Sequence, residues 1–506
     1  MIDRRHLGPG LAAFASALAV ALLGLRADAQ GDREHLVEIQ ILGVNDLHGH
    51  MLAPEAEAGA AQLGGAANLA GALQRAASDF PGRTVRVHAG DMVGASPLIS
   101  SHFRDEPAIE ALNLMGFDAG TFGNHEFDDG PAEALRLLRR ARFPYLSANV
   151  ADFAGRPLVA PYRVLRRAGV RIGVIGVTTT DTPKWLLPRH SRKLRFRDLS
   201  DSVDRYVPAL QRRGVEAIVV LAHAGGPMHS DSPDRAEGEV IAETAEMDSA
   251  VDLVVAGHSH SELNEVVPNS DGEGGKLVVQ AHSYGRAFDR VKLTVDRRSG
   301  DVVAKSADIV AVDSGPEAAV GVSRIARRYG RLVAPLADRV VGRAEEDLAR
   351  KAEQGGGELG EVAADAQRSL AGTDVAFVDQ TNMRGDLSRG RVTYADVSAV
   401  HGYESDVMRF TLDGTAIREL VEQRPAEPLY TSGLSYRFGF FDGRGAGRIE
   451  LADGRALRPE QTYSVAANEL LVTGDRFPAF GLRTGGFRRM GTDRGALARW
   501  FSRGQR

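Results

Sequence analysis

Five short clusters of histidine, aspartate and asparagine recur in the first 260 residues of the chain. Each cluster follows an apolar run that predicts a buried strand, and a glycine lies in it or close beside it. The ligand-type side chains of these clusters are Asp46, His48, Asp91, Asn124, His125, His223, His258 and His260. A single histidine at a strand end is usually a hydrogen-bonded structural residue, whereas five clusters after comparable strands indicate one shared site. Imidazole, carboxylate and amide groups together are typical of a site for divalent metal ions.

The residue types favour a pair of ions rather than one. Two adjacent ions need a bridging carboxylate, and Asp91, which stands alone after its strand, is the predicted bridge, while Asn124 offers an uncharged oxygen donor. Such a pair lowers the pKa of a shared water and clamps both oxygens of an in-line displacement at phosphorus. His125 is predicted to stabilise developing charge or protonate the leaving group, with Asp128 orienting its ring. The alternative is that His125 only positions Asn124.

The elements that must hold these side chains are apolar strands alternating with helices. The predicted strands are Leu36–Val44, Thr84–His88, Tyr145–Ser147, Val170–Val177, Val215–Leu221, Val251–Ala256, Leu277–Val279 and Val291–Val295, with helices at Ala66–Ala77, Pro107–Met115 and Ala132–Arg140. This alternation predicts an α/β or α+β layered fold that carries its site at strand ends. The pairs Asp46-x-His48 and His258-x-His260 are each predicted to project to one side of extended backbone.

The last third of the chain predicts a second, smaller core. Its strands are expected at Val375–Val378, Val407–Leu412, Leu434–Phe441 and Thr462–Ala466, with a helix at Thr415–Gln423. A helix-like stretch from Glu317 to about Arg350 and the glycine run 355–357 separate it from the first core. The predicted division is a signal segment at residues 1–29, a catalytic domain at 30–315, a connecting helix at 316–345 and a C-terminal domain at 346–506.

Length and composition agree with this division and exclude several classes of protein. The chain has 506 residues, which favours two or more domains. It has no cysteine, which excludes disulfides, thiolate zinc sites, iron–sulfur clusters and a cysteine nucleophile. The formal net charge of −5 argues against a protein that coats a nucleic-acid polymer.

The N-terminus predicts export. Arg4 and Arg5 precede an apolar run at Leu11–Leu25, and Ala27-Asp28-Ala29 forms a small-residue cleavage site. The paired arginines suggest a twin-arginine signal, with a Sec signal as the alternative, and a membrane anchor is the competing interpretation of the whole segment. No later stretch approaches the ~18 apolar residues needed to span a bilayer. A periplasmic or secreted mature chain is therefore expected, of unknown oligomeric state.

The five clusters resemble, in order, the metallophosphoesterase signature. Two of its motifs resemble the 5′-nucleotidase branch of that family, namely Asn-Asp-x-His-Gly-His and Gly-Asn-His-Glu-Phe-Asp. That branch includes UDP-sugar hydrolases and 2′,3′-cyclic-nucleotide phosphodiesterases. The resemblance implies a four-layer αββα catalytic domain followed by a smaller α+β domain that binds the nucleotide. It also implies two ligand sets, which are Asp46, His48, Asp91 and His260 for one ion and Asp91, Asn124, His223 and His258 for the other. His125 and Asp128 would form the catalytic pair.

The C-terminal half departs from the family pattern where substrate is bound. Arg384 remains as a phosphate-binding candidate, although the glycines that usually precede it are absent. Glu469 stands where the family has a base-stacking aromatic, Asp475 remains as a candidate for a ribose hydroxyl, and Tyr430 is a candidate for replacement stacking.

The leading hypothesis is an exported dimetal phosphohydrolase of 5′-nucleotidase type. Its expected substrate is a small phosphoester of nucleotide type rather than a nucleic-acid polymer. Its ions are expected to be Zn²⁺, Mn²⁺ or Co²⁺ rather than Mg²⁺, because of the many imidazoles. The alternative is a phosphomonoesterase or phosphodiesterase for a non-nucleotide or cyclic-nucleotide substrate. A further alternative is a secreted binding protein without catalysis.

Overall fold

The computed structural model describes residues 35–504. The ranges not described within it are 55–61, 227–237, 314, 316–317, 351–357, 380–382, 424–428, 437–447, 475–476 and 484. The predicted signal segment and the glycine run 355–357 lie outside the described residues. Within the described ranges, none of the helices combines the length and apolarity needed to span a bilayer.

Strands dominate the first two thirds of the described chain. In chain order they are β1 (Leu36–Val44), β2 (Thr84–His88), β3 (Ala119–Thr121), β4 (Tyr145–Leu146), β5 (Val150–Asp152), β6 (Tyr162–Arg167), β7 (Val170–Thr178), β8 (Leu194–Phe196), β9 (Ala217–His223), β10 (Leu253–Ala256), β11 (Glu262–Pro268), β12 (Gly275–Ala281), β13 (Ala287–Asp296), β14 (Asp301–Ala311), β15 (Val340–Ala344), β16 (Val375–Val378), β17 (Gly390–Thr393), β18 (Asp406–Asp413), β19 (Tyr430–Ser432), β20 (Leu434–Ser435), β21 (Glu450–Leu451), β22 (Thr462–Asn468) and β23 (Gly485–Thr492).

Helices alternate with the strands in both parts of the chain. The α-helices are α1 (Ala66–Ser78), α2 (Leu98–Ser101), α3 (Glu106–Met115), α4 (Pro131–Leu138), α5 (Thr182–Trp185), α6 (Pro188–Ser191), α7 (Leu199–Asp204), α8 (Val207–Gln211), α9 (Glu239–Glu246), α10 (Val320–Ala337), α11 (Glu358–Ala371), α12 (Tyr394–Val400), α13 (Gly414–Glu422), α14 (Glu469–Thr473) and α15 (Asp493–Ser502). Short 3₁₀ helices span His125–Phe127 and Pro478–Leu482.

Two six-stranded sheets form the centre of the N-terminal part. One has the order β14-β13-β1-β2-β3-β4 and the other β11-β12-β10-β9-β7-β6. Strands β1, β2 and β3 run parallel, as do β7, β9 and β10, so their carboxyl ends lie at the same edge of each sheet. Parallel strands place the residues that follow them close together.

The two sheets pack face to face, with helices on both outer faces. Side chains such as Ile41 and Val87 of the first sheet share a buried core with Val174 and Val219 of the second. Helices α1, α3 and α10 cover the outer face of the first sheet, and α7, α8 and α9 cover that of the second. Strands buried on both faces explain the near-continuous apolar runs in the sequence. The predicted four-layer αββα architecture is confirmed.

The C-terminal part has its own mixed sheet, in the order β19-β16-β22-β18-β23. Phe377, Phe410 and Val465 pack on one face with α13. Helix α11 covers the other face and packs against α15. The expected smaller α+β domain is therefore present.

Two predicted elements differ from the structure. The helix-like stretch expected to reach Arg350 ends at Ala337, because Val340–Ala344 pairs with β17 as an antiparallel strand. The strand expected at Leu434–Phe441 covers only Leu434–Ser435 among the described residues, and 437–441 lie outside them. Helix α10 packs against the helices of the first sheet, where Tyr329 and Val333 are buried.

Candidate metal centre

The ligand-type residues of the five clusters meet at the carboxyl ends of the parallel strands. Asp46 follows β1, Asp91 follows β2 and Asn124 follows β3, while His223 is the last residue of β9 and His258 follows β10. The side chains of Asp46, Asp91, Asn124 and His223 are at most 2% exposed. Both sheets therefore contribute to one buried polar centre.

Asp46, His48 and His260 form the first group that could hold an ion. His48 Nε2 lies 3.7 Å from Asp46 Oδ1, and His260 Nε2 lies 3.4 Å from the same oxygen. The other oxygen, Asp46 Oδ2, accepts hydrogen bonds from the Asn45 side chain at 2.7 Å and the His258 main chain at 2.9 Å. Asp46 Oδ1 is buried without a hydrogen-bond partner among the described residues. A cation between these atoms would satisfy that oxygen, so the donors fit a metal.

Asp91, His223 and His258 form the second group, and Asn124 adjoins it. His223 Nε2 lies 3.2 Å from Asp91 Oδ2 and 3.1 Å from Asn124 Oδ1. Asp91 Oδ2 is also 3.7 Å from His48 Nε2 of the first group. One carboxylate oxygen thus lies between the two groups, which is the placement that a bridging ligand requires.

The carboxylates of the centre are held in their charged form. Burial alone would raise the pKa of Asp91, but the neighbouring histidines, His223 first among them, hold it below its usual range. Burial alone would lower the pKa of His223, but Asp91 raises it to about 10. Burial and the charge of His223 lower the pKa of His258 to about 4. The two buried carboxylates therefore stay charged and hold positive charge at the centre, which is chemistry that attracts divalent cations.

The backbone that presents these ligands is left-handed rather than extended. The φ angles are 49° at Asp46, 47° at His48, 50° at Asp91, 78° at His258 and 59° at His260. Left-handed backbone is uncommon for residues other than glycine and concentrates at functional sites. The expectation that the two spaced pairs project from extended backbone is therefore wrong. His258 and His260 belong to different groups, whereas Asp46 and His48, with similar angles, belong to the same one.

Glu126 fixes the loops that carry the ligands, and sequence reasoning missed it. Its carboxylate accepts hydrogen bonds from the main-chain N–H groups of Asp91 at 3.0 Å, Met92 at 2.9 Å and Gly123 at 2.5 Å. Asp91 lies so close to the Gly123 backbone that only glycine fits there, because a Cβ at residue 123 would lie 2.0 Å from Asp91 Oδ1. The sequence feature that could have identified Glu126 is its place directly after His125, in a motif already assigned to the centre.

Main-chain carbonyls set the orientation of two ligand rings. His48 Nδ1 lies 2.9 Å from the Gly94 carbonyl oxygen, and His223 Nδ1 lies 2.8 Å from that of Ala89. With Nδ1 donating to these oxygens, Nε2 of each ring faces the centre as the free donor atom. Such partners are typical of metal-binding histidines.

His125 and Asp128 lie beside the centre as a hydrogen-bonded pair. His125 Nδ1 is 2.9 Å from Asp128 Oδ2, and its main-chain N–H donates to Asp91 Oδ1 at 2.8 Å. The His125 ring contacts the His48 ring edge to face, with centroids 5.1 Å apart. Burial alone would lower the pKa of His125, but the Asp128 and Asp91 carboxylates raise it to about 9. The ring is therefore positioned as a cation next to the ligands.

A cavity of about 410 Å³ opens onto this pair and is lined by both parts of the chain. Trp185 lines it from the N-terminal part, with its ring centroid 6.4 Å from that of His258. An ion pair between Arg189 and Glu469 joins the two parts across the cavity. Sequence reasoning did not find Trp185 or Arg189, because no motif marks them and only the packing of the two parts brings them to the site.

The three predicted substrate-binding residues have different placements. Arg384 has an exposed side chain near the centre. Burial is the main cause that lowers the pKa of His260, and the charges of His48 and then Arg384 add to it. Asp475 lies outside the described residues. Tyr430 is 5% exposed, and its hydroxyl donates to the Arg350 carbonyl oxygen. Its ring packs directly on Gly360, so closely that a Cβ added to Gly360 would lie 2.3 Å from the ring. The stacking assignment of Tyr430 is therefore wrong, because the ring fills the C-terminal core.

Two family models match the chain. Residues 39–262 match calcineurin-like phosphoesterases, and residues 340–481 match the 5′-nucleotidase C-terminal domain. Together the two models cover both parts of the fold described above.

Among curated proteins, the chain is similar to endonuclease YhcR of Bacillus subtilis, with 30% identity over 93% of this chain and 40% of that protein. It is 31% identical to cell wall protein Lmo0130 of Listeria monocytogenes over 92% of this chain and 66% of that one. The chain thus spans less than two thirds of the length of each. Among solved structures, a 5′-nucleotidase precursor from Thermus thermophilus superposes with a TM-score of 0.77 and 25% identity, covering 93% of this chain and 97% of that one.

Proposed function

The chain belongs to the calcineurin-like phosphoesterases that carry a 5′-nucleotidase C-terminal domain, and on that basis we propose that it is a dimetal phosphohydrolase of nucleotide phosphoesters. The observation that carries the proposal is the pair of ligand groups joined by one oxygen of Asp91. The cavity lined by His125 and Asp128 is large enough for a small ligand, at the lower end of the usual range of ~300–1,000 Å³. Its walls come from both parts of the chain, so the C-terminal part helps to select the substrate.

The donors fit two divalent ions. Asp46, His48, Asp91 and His260 would hold one ion, and Asp91, Asn124, His223 and His258 the other. Imidazole-rich sites of this type suit Zn²⁺, Mn²⁺ or Co²⁺ better than Mg²⁺. Two ions bound there would supply Lewis-acid chemistry at a phosphate and a water of lowered pKa.

His125 and Asp128 supply the proton chemistry of the protein itself. Asp128 engages Nδ1, which leaves Nε2 of the same ring as the atom available to substrate. The raised pKa keeps that nitrogen protonated at neutral pH. It can therefore donate a hydrogen bond to a phosphate oxygen and a proton to the leaving oxygen. Arg384 is proposed as a second cation for the phosphate, and Asp475 as a partner for a ribose hydroxyl.

Location and domain division are part of the same proposal. The N-terminal arginines, apolar run and cleavage site support export to the periplasm or the exterior. The division into residues 30–315, 316–345 and 346–506 assigns metal binding to the first domain and substrate selection to the last. A substrate other than a nucleotide is a second candidate, because Arg189 engages the carboxylate of Glu469 in the cavity. The ion pair replaces the stacking aromatic of the family pattern, so a base would have to stack on another ring of the wall, such as Trp185.

The test is turnover by the purified mature chain supplied with Mn²⁺. Hydrolysis of AMP or UDP-glucose would support the nucleotide proposal, and p-nitrophenyl phosphate and its bis ester report general phosphoesterase activity. Hydrolysis of the generic esters alone would favour the second candidate. If metal is bound in the same sample and none of the four substrates is hydrolysed, the chain is better explained as a binding protein without catalysis.

Variants separate the two kinds of residue at the centre. Asp91→Ala is expected to lose metal and activity together, because it removes the bridging oxygen. His125→Ala is expected to keep metal and lose about 10²–10⁴-fold in rate, the usual contribution of a general acid. Elemental analysis beside kinetics measures both, and metal loss in the His125 variant would show that the ring is a ligand.

A further inference from the structure

His190 lies beside the pair formed by His125 and Asp128 and belongs to neither ligand group. It is the third residue of α6 (Pro188–Ser191), and it lines the same cavity as that pair. Its Nδ1 lies 2.8 Å from the main-chain carbonyl oxygen of Asp128. A side chain 62 residues further along the chain therefore holds the main chain of Asp128.

The direction of this hydrogen bond is fixed by its acceptor. A carbonyl oxygen accepts and cannot donate, so the proton of the contact lies on Nδ1 of His190. Burial lowers the pKa of His190, so the ring is neutral at physiological pH and this N–H is its single donor. The donor of His190 is thus committed to Asp128.

The same ring packs on the turn that follows Asp128. Gly130 has a φ angle of 85°, and a Cβ added to it would lie 3.0 Å from Cδ2 of His190. His190 thus contacts both ends of the segment 128–130. The Asp128 side chain is 26% exposed, and Asp129 is exposed as well. Packing alone does not fix a carboxylate in such a position, so its orientation depends on how the main chain is held.

Helix α6 is itself anchored on two sides. Leu186, two residues before the helix, is 1% exposed and lies in the core that also contains Phe127. Arg189 forms an ion pair with Glu469 of the C-terminal part. The His190 ring is therefore presented to Asp128 from a fixed support.

We propose that His190 is a positioning residue of the reaction, whose hydrogen bond to the Asp128 main chain holds the Asp128 carboxylate against Nδ1 of His125. The inference rests on the proposed phosphohydrolase function and adds a residue that acts through Asp128. Asp128 Oδ2 lies 2.9 Å from His125 Nδ1, so a displacement of the carboxylate by about 1 Å breaks that hydrogen bond. His125 then loses the partner that fixes its ring for proton donation to the leaving oxygen.

The experiment compares phenyl phosphate with p-nitrophenyl phosphate as substrates of the metal-loaded enzyme. Both place the same phosphate on a phenyl ring, but phenolate is the more basic leaving group and depends more on the proton that an acid donates. His190→Leu is expected to lower kcat for phenyl phosphate about tenfold to a hundredfold, because misplacement by about 1 Å can cost about 10²-fold. The loss of kcat with p-nitrophenyl phosphate is expected to be several times smaller. KM for both esters and metal content are expected to stay at the wild-type level.

Three further variants separate positioning from a general effect on the fold. His190→Asn can place its amide nitrogen where Nδ1 was, and it is expected to restore most of kcat for phenyl phosphate. In an Asp128→Ala background, His190→Leu is expected to add little, because the carboxylate that it positions is gone. His35→Leu is the matched control, since His35 also has one polar partner, Asp296 at 3.5 Å, and does not line the cavity. It is expected to leave both kcat values within about twofold.

An equal loss with both esters that His190→Asn does not restore would overturn the proposal and leave His190 as a support of the fold around Gly130. Additive losses in the Asp128→Ala background would overturn it as well. If His190→Leu does not fold, His190→Gln takes its place with the same expectations, because its amide nitrogen corresponds to Nε2 rather than Nδ1.

Crystal structures of the wild type and of the Leu and Asn variants measure the contact without any turnover. Asp128 Oδ2 is expected within hydrogen-bond distance of His125 Nδ1 in the wild type and in His190→Asn, but not in His190→Leu. An unchanged contact in His190→Leu would overturn the positioning role. If the wild type hydrolyses neither ester, the three structures still decide whether His190 holds Asp128, and only the phosphohydrolase function has failed.

Discussion

Gly123→Ala adds a single methyl group at the most crowded point of the centre. The new Cβ would lie 2.0 Å from Asp91 Oδ1 and 2.5 Å from the Asp91 main-chain nitrogen. Ordinary van der Waals contact begins at 3.4 Å, so the first distance is 1.4 Å too short. The φ angle of Gly123 is not left-handed, so alanine is not excluded by the backbone itself. The methyl group therefore acts by displacing the predicted bridging carboxylate together with the Asp91 main chain that carries it.

The size of the effect follows from that displacement. A shift of about 1 Å in a catalytic group can cost about 10²-fold in rate, and disturbed positioning of ligands typically costs about 10–100-fold in metal affinity. Overpacking of a buried site costs about 1–3 kcal/mol of stability. We expect Gly123→Ala to fold with a lower melting temperature, bind less metal and hydrolyse phosphoesters about a hundredfold more slowly.

The assay measures metal content, thermal unfolding and kcat on the same preparation. Gly481→Ala is the matched control, because a Cβ at Gly481 meets no atom within 4 Å. It is expected to match the wild type in all three measurements. Activity and metal content at wild-type level in Gly123→Ala would refute the assignment of Asp91 as a tightly positioned bridge. Equal losses in both variants would show that the effect is not specific to the centre.

Two further predictions concern the surroundings of the centre. Asp128→Asn removes the charge that raises the pKa of His125. The alkaline limb of the plot of kcat against pH should therefore move to lower pH. If the limb does not move, it does not report the titration of His125. Arg189→Gln and Glu469→Gln should each raise KM for the preferred substrate about twofold to fivefold, since the pair is partly exposed, at 55% and 16%. The double variant should resemble either single one, and additive losses would show that the ion pair does not act as a unit.

Local sequence determined much of the first domain and of the metal centre. Strand β9 is apolar from Ala217 to Ala222 because both of its faces are buried, and this pattern identifies it without a structure. Since each ligand cluster follows such a strand, and parallel strands end at one edge, convergence of Asp46 and Asp91 could be expected. The absence of cysteine restricted the ligands to His, Asp, Asn, Glu and Gln from the start.

The backbone at the ligands could not be derived in the same way. Alternation along an extended segment predicted that His258 and His260 project to one side, whereas both residues have left-handed angles and belong to different groups. Such angles are unfavourable for histidine in isolation and persist because the surrounding structure holds them. The division of the two histidines between two ligand sets came from the family resemblance, not from alternation.

Only tertiary structure decided which residues surround the cavity next to His125 and Asp128. Tyr430 has the chemistry of a stacking residue, but packing against Gly360 places it in the core. Trp185 and Arg494 carry no motif and are remote from each other in the chain, yet both line one cavity. Periodicity and turn residues record which local elements form and which face is buried. The distance between elements remote in the chain is set by how the sheets and the two cores pack. The candidate metal ligands therefore follow from the sequence, and the residues that line the cavity follow from the fold.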